Sequence, residues 1–210
     1  MTARLKAVAA NAPSETAKPA FPELARDDVF MIGTRRLWLR WPRLDDADAI
    51  ARFSGDARVA VTTGTWPVGC DADYASARIA KVRAGNAAGT GFAFIVARRD
   101  SWGEPIGMMG FNVLGSTDGL VAVGGYHLDP AHWGQGYASE ALASIVGMIR
   151  LLTRIDTLRA DVMPHNVASQ RVLEKNGFVP TGSATTTTEA RGTFNLVRYE
   201  RVLRPVRVSR

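Results

Sequence analysis

Between Thr34 and Pro42 the chain alternates: Leu37, Leu39 and Trp41 share one parity, and Arg36, Trp38 and Arg40 the other. A period of two predicts a strand with one buried face, and Pro42 ends it. The period then lengthens. In LDDADAIARFSG (44–55) the aspartates come early and Ala47, Ile50 and Ala51 recur at helical spacing before a stop at Gly55. DADYASARIAKVRAG (71–85) repeats that plan with Tyr74, Ala77, Ile79 and Ala80, then Lys81 and Arg83, and a stop at Gly85. VTTGTWPVGC (61–70) reads as the loop between these two helices.

Three runs rich in branched and aromatic residues follow, GFAFIVARR, EPIGMMGFNVLG and LVAVGGYHLDP, close enough in sequence for an antiparallel meander. ALASIVGMIRLL then carries no charge between Glu140 and Arg150, which predicts a helix buried on most sides. IDTLRADVMP reads as a strand and NVASQRVLEKNGF as a short helix. GTFNLVRYERVL reads as a final strand after a polar turn, SATTTTEARG. The order implies an α+β fold in the loose sense, a mixed sheet with helices on its faces, and no repeat or linker divides it.

Composition narrows the class. With 210 residues, 46% of them hydrophobic, the chain suits one well-buried domain, expected over 31–204. Residues 1–30, punctuated by Pro13, Pro19 and Pro22, are expected to form a flexible extension and 205–210 a basic tail. Their apolar patch AVAANA is too short for a signal peptide, and the chain contains no apolar run of about 18 residues, so no membrane partner is expected. Cys70 is the single cysteine, which excludes an internal disulfide and points to the cytoplasm. Net charge is +6, and 22 of the 26 basic residues are arginine. They are scattered singly apart from Arg35-Arg36 and Arg98-Arg99, which suits a solvated basic surface; an anionic partner fits the charge, and nucleic acid is a weaker candidate.

The candidate chemistry lies in HWGQGYASEA (132–141), where Gly134, Gly136 and Ala138 fall at alternate positions between a strand and a helix. A helix start presents unpaired N–H groups and partial positive charge, and small residues leave the approach open to two phosphates. A tight turn with close helix packing would also use these glycines. A dinucleotide fingerprint is a rival, with Gly134-x-Gly136-x-x-Ser139 and Asp156 twenty residues after Gly136. Against it, the preceding strand is the fourth, Pro130–Trp133 lengthen the turn, and Asp156 opens its strand rather than ending it. A second signature follows in PHNVASQRVLEKNGF: Asn166 can cap a helix with Ser169 at its third position, and Asn176-Gly177 supplies a left-handed stop, folding Phe178 onto the core.

RRLWLR, GYHLDPAHWGQGYASEAL and HNVASQRVLEKNGF, in this order and spacing, resemble the GNAT superfamily of acetyl-coenzyme A-dependent N-acetyltransferases, and within it the branch typified by ribosomal-protein alanine acetyltransferases. The resemblance covers about residues 34 to 203. It implies a mostly antiparallel central sheet flanked by helices on both faces and splayed between the fourth and fifth strands. It implies acetyl-CoA as co-substrate, with no metal, and direct transfer to an amine, Cys70 not acting as a covalent carrier. Main-chain groups of Gly134, Gln135, Gly136, Tyr137, Ala138 and Ser139 are implied to hold the diphosphate, and those of Tyr126, His127 and Leu128 the pantetheine arm. The Leu128 N–H is the implied oxyanion donor, Asn166 contacts pantetheine, and Ser169 faces the same channel.

The chain also departs from the family. Leu173 stands where a tyrosine acid is usual, leaving Ser169 as the substitute proton donor; Trp133 replaces a Gln or Arg at the head of the phosphate loop; Val123 replaces a glutamate. The base is open: His127 is one candidate, since imidazole titrates near 6.5, and His132 and His165 flank the two motifs. Glu140 is explained by its place in a helix's first turn. Trp66 and Trp102 are expected to wall the acceptor pocket. The acceptor is a protein N-terminus or a small-molecule amine, and a homodimer is a candidate assembly. The competing reading is a catalytically weak acyl-CoA-binding module or a basic nucleic-acid-binding domain.

Overall fold

The computed structural model describes residues 30–63, 65–101, 103–116, 119–188 and 192–203. The expected flexible extension, all but Phe30 of it, the basic tail and Trp102 lie outside the described residues. The strands are β1 (Met31–Gly33), β2 (Leu37–Arg40), β3 (Gly91–Arg98), β4 (Pro105–Ser116), β5 (Gly119–Leu128), β6 (Ile155–Val162), β7 (Val179–Thr188) and β8 (Gly192–Val202). The helices are α1 (Ala47–Ser54), α2 (Ala57–Thr63), α3 (Ala72–Ala88), α4 (Tyr137–Leu152) and α5 (Val167–Lys175). All eight strands form one sheet in the order β1-β2-β3-β4-β5-β6-β8-β7. Every described pair is antiparallel except β5–β6.

β3 shows why this sheet needs helices on both faces. Its residues from Gly91 to Ala97 are all buried, and the pleat sends Phe92, Phe94 and Val96 to one side and Ala93, Ile95 and Ala97 to the other. The first set packs with Leu37 and Leu39 of β2 and with Leu142, Ile145 and Ile149 of α4. The second packs with Ile50 and Phe53 of α1 and Ile79 of α3. α4 buries seven residues on a broad face, as its uncharged run predicts.

Four expectations are corrected. α3 does not stop at Gly85 but continues to Ala88, and the left-handed residue is Gly89 at φ 68°. The extra turn is held by Asn86, whose buried side chain donates from Nδ2 to Ala93 O at 3.0 Å and accepts from Ala93 N at 2.8 Å, much as a neighbouring strand would. The buried line of α3 is Ala75, Ile79 and Asn86, and Tyr74 lies on the exposed side. Residues 57–63 form α2, which runs into the start of the stretch read as loop, 61–70; Val59 and Ala60 are buried, and tertiary burial overrides the weak helix propensity of its valines and threonines. SATTTT is not a turn but the end of β7, an edge strand pairing with β8 from Val179↔Glu200 to Thr188↔Gly192. β-Branched threonines suit a strand, and with neither face deeply buried no alternation marks it.

β5 and β6 position the site. Their parallel pairing runs from Leu120↔Ile155 to Val123↔Arg159 and then stops, although β5 continues to Leu128 and β6 to Val162. This is the expected splay, between the fourth and fifth of the strands foreseen from the sequence; the short β1 shifts the numbering by one.

Close strand approach beside the splay gives a direct test. A Cβ on Gly124 would stand 2.0 Å from Gly110 O and 2.6 Å from Phe111 Cα, whereas one on Gly147 in α4 would meet nothing within 4 Å. Gly124→Ala is therefore expected to lower unfolding stability by about 2–3 kcal/mol, and Gly147→Ala to raise it by about 0.5–1 kcal/mol. Urea midpoints of the two variants check the contrast.

Candidate active site

Where β5 and β6 part, a cleft of about 790 Å³ passes through the sheet. One wall carries Val162, Asn166, Ser169 and Leu173 from β6 and α5. The other carries Trp66, Arg78 and Lys81, and Gly124, Tyr126 and His127 of β5 lie between.

Hydrogen-bond alternation decides which β5 groups face the opening. Asp129 N donates to Ile106 O at 2.8 Å, and Gly107 stands opposite Leu128. In an antiparallel ladder the bonded pairs alternate, so the peptide groups of His127 point into β4, while those of Tyr126 and Leu128 point toward the gap left by β6. The Leu128 carbonyl accepts from the Trp133 indole at 2.8 Å, and by the same alternation the Leu128 N–H points away from β4, although Leu128 is not itself among the residues that line the cleft. Trp133 thus pins the phosphate loop to the end of β5. Of the three β5 residues expected to offer main-chain groups, Tyr126 and Leu128 direct theirs away from β4, whereas those of His127 pair with it.

The α5 wall is built from its cap. Asn166 Oδ1 accepts from Ser169 N at 3.1 Å, as the spacing predicts. Across the gap, the Tyr126 hydroxyl donates to Ser169 O at 3.2 Å, and burial pushes that phenol's pKa up. The Ser169 hydroxyl has no partner among the described residues and lines the cleft. Leu173, at the usual tyrosine position, is buried and apolar there. α5 ends as expected, with Gly177 at φ 72° and Phe178 buried. Asn176 donates to Val172 O at 2.8 Å and Ser139 Oγ at 3.2 Å, tying the end of α5 to the start of α4.

At that start, Gly134 (φ 74°) and Gly136 (φ 78°) adopt left-handed conformations that bend the chain into the helix. Gly134, Gln135 and Gly136 are exposed, a Cβ on Gly134 would meet nothing within 4 Å, and no side chain caps α4. The first-turn N–H groups of Tyr137, Ala138 and Ser139 therefore lack intrahelical acceptors and face an open mouth. Nothing plugs it. This arrangement fits a diphosphate group.

Arg36 of the β1–β2 turn completes the mouth. Its Nε donates to Glu140 Oε2 at 2.7 Å, its Nη1 to Gln135 O at 2.9 Å, and its guanidinium lies 4.5 Å from the Tyr137 ring centroid. Burial acts to raise the Glu140 pKa, but the bonds from Thr34 and Arg36 outweigh it and hold the carboxylate below its usual range. Arg36 thereby offers a cation at the loop where Trp133 does not. No local pattern reveals it, because Glu140 is 104 residues away in sequence.

His127 occupies the centre of the acceptor wall. Its Nε2 lies 2.8 Å from Ser54 Oγ, and its ring meets Phe53 at 5.6 Å and Trp66 at 5.5 Å. Burial, with the positive charge of Arg78 adding to it, pushes its pKa down to about 3. An imidazole held neutral in this way is a poor acceptor for an ammonium proton, which bears against the base role expected of it. Ser54, fully buried, is a partner the sequence did not disclose. His132 stacks edge-on against Tyr137 at 6.3 Å, and neither it nor His165 lines the cleft. Trp66 lines the cleft. Burial raises the Cys70 thiol pKa, Asp71 adding to it, and Cys70 does not line the cleft. Among the described residues, no group of three or more His, Cys, Asp or Glu could hold a metal ion, and no helix is long and apolar enough to cross a membrane.

Residues 36–179 match the acetyltransferase (GNAT) domain family. An uncharacterized N-acetyltransferase of Bacillus licheniformis, p20, is 30% identical over 151 residues, 71% of this chain and 82% of that protein. Among solved structures, the ribosomal L7/L12 alpha-N-protein acetyltransferase RimL in complex with coenzyme A superposes with a TM-score of 0.72 at 18% identity, covering 83% of this chain and 98% of that one. Mycobacterium smegmatis RimJ in complex with CoA-disulfide gives 0.71 at 22% identity, covering 82% and 86%.

The His127 environment predicts a pH dependence of stability. Unfolded, the imidazole titrates near 6.5, and folded at about 3. Between those values the unfolded chain binds more protons, so this contribution is complete above pH 6.5 and is lost as pH falls toward 3. Urea unfolding of wild type and His127→Gln at pH 7 and pH 4.5 should show the wild type losing roughly 2 kcal/mol more than the variant. Equal losses would show that His127 is not held neutral.

Proposed function

Because the chain belongs to the GNAT acetyltransferase family and is an acetyl-CoA-dependent N-acetyltransferase, we propose that it transfers the acetyl group directly to a primary amine through the β5–β6 gap. The amine is that of a protein N-terminus or a small molecule, and the fold shared with RimL and RimJ keeps the ribosomal-protein branch in view. The observation that carries the proposal is the continuity of the cleft, which joins the α5 wall to the Trp66–His127 wall across β5.

Acetyl-CoA supplies a thioester, an acyl group already activated for attack by an amine. The chain's own groups then have separate tasks. The N–H groups of Gly136, Tyr137, Ala138 and Ser139 hold the diphosphate with the helix dipole behind them, and Arg36 lends its charge at the same loop. Tyr126 and Leu128 bind the pantetheine arm as a neighbouring strand would, and Asn166 borders it from α5. The Leu128 N–H donates to the developing oxyanion, in a gap where little water competes. The Ser169 hydroxyl hydrogen-bonds the departing thiolate, whose conjugate acid has a pKa of about 8.5, and relays a proton to it while taking one back from water.

His127 is a positioning group in this mechanism. Neutral and fixed by Ser54, its ring adds no positive charge to repel an incoming amine. The amine's proton leaves to water, so the acidic limb of the rate profile follows the acceptor's own pKa.

Ser169→Ala is expected to lower kcat for coenzyme A release by about 100-fold near pH 7, with acetyl-CoA affinity unchanged by titration calorimetry. The deficit should shrink above about pH 8.5, where the thiolate leaves without a proton. An unchanged kcat at pH 7 removes Ser169 from this role, and failure of the wild type to bind acetyl-CoA removes the proposal.

A further inference from the structure

The acceptor wall holds two cations without acidic partners. Arg78 and Lys81 stand three residues apart on α3, so both project from one side of that helix, and both line the cleft. Among the described residues neither makes a hydrogen bond or ion pair to a carboxylate. Arg36, Arg40, Arg98, Arg159 and Arg198 each pair with an aspartate or glutamate, and among the described residues Arg78 and Lys81 are the cations that line the cleft. The single acid on the cleft, Asp161, is engaged by Arg198 at 3.0 Å.

Arg78 is also held in place. Its guanidinium carbon lies 4.8 Å from the Trp66 ring centroid, and Trp66 is in turn fixed by the edge of Tyr74 at 5.8 Å and by His127 at 5.5 Å. Trp66 is only 6% exposed, so this support is rigid. Packing one face of a guanidinium on an aromatic ring leaves its N–H edge free, and that planar edge matches the two oxygens of an oxyanion.

We infer that the acceptor amine carries an oxyanion, of carboxylate or phosphate type, which the N–H edge of Arg78 binds with Lys81 beside it while the amine reaches the gap at Leu128. This rests on the transfer reading of the cleft and specifies its substrate class. The same positive charge disfavours a protonated amine nearby, and so favours the uncharged nucleophile.

The test uses the full chain, acetyl-CoA and matched amines: glycine for carboxylate, aminomethylphosphonate for phosphate, and glycinamide as the neutral counterpart. The wild type should turn over at least one anionic amine about 10-fold better in kcat/KM than glycinamide. Arg78→Ala should lose about 10- to 100-fold on that amine, with little change on glycinamide and an unchanged KM for acetyl-CoA. Arg78→Lys, which keeps the charge, should recover part of the loss. Preference for glycine over aminomethylphosphonate assigns the carboxylate, and the reverse assigns the phosphate. Equal losses on charged and neutral amines, a wild-type preference for glycinamide, or neither turnover nor calorimetric binding of any anionic amine by coenzyme-loaded protein would overturn the inference. The transfer reading stands or falls separately, on binding of acetyl-CoA alone.

Discussion

The hydrogen bonds between β5 and β6 end at Val123, and the site depends on that ending. Up to that point β5 and β6 pair in parallel, with one shift of register between Leu120 and Val121. Past it, the outward peptide groups of Tyr126 and Leu128 are left on an open edge, a row of donors and acceptors awaiting an extended ligand. An arm with amides of its own can occupy that edge as a strand does. The gap stays ordered because other contacts span it: Tyr126 bonds the main chain of Ser169, and Asn176 ties α5 to Ser139 at the head of α4. The two helix starts are therefore fixed relative to the open edge, and ligand binding need not order them.

Charge is distributed along this path with a clear pattern. At the α4 end the unpaired N–H groups and Arg36 present positive character, with Glu140 holding the arginine in place rather than leaving it to swing. In the middle, His127 is kept neutral by burial and by Arg78. At the α3 end Arg78 and Lys81 are again positive. A path that is positive at both ends and uncharged at its centre suits chemistry in which a neutral amine attacks a neutral thioester between two anionic anchors. The same arrangement accounts for the absence of a matched base at the family's glutamate position, where Val123 stands on the cleft.

Local signals in the sequence are strong wherever structure is set by neighbours along the chain. The parity of Leu37, Leu39 and Trp41, the uncharged run in α4, the Asn166 cap and the glycines at 134 and 136 all express short-range rules, and each appears in the fold. The stop of α3 was misplaced because Gly85 offers the composition of a helix end, whereas the left-handed turn occurs at Gly89. The reason lies in Asn86 docking on Ala93, a contact invisible until α3 meets β3. α2 and β7 carried no periodicity of their own, one being a seven-residue helix and the other an edge strand. The site divides in the same way. Its main-chain groups follow from motifs, but Arg36–Glu140 and Ser54–His127 are pairings whose geometry only the folded chain supplies. The proton affinity of His127 is one consequence: imidazole alone suggests a base near neutral pH, and burial lowers its pKa.

The central claim is that bared amides at the start of α4 receive a diphosphate. Its most direct measurement compares coenzyme A with pantetheine, which lacks the diphosphate and nucleotide, by titration calorimetry alongside amide hydrogen exchange at residues 134–139. The account predicts that coenzyme A binds about 100-fold more tightly or better, since several charge-assisted hydrogen bonds are lost with the phosphates, and that it slows exchange at Tyr137, Ala138 and Ser139 while pantetheine does not. Equal affinities, or exchange at these amides unchanged by coenzyme A, would contradict it.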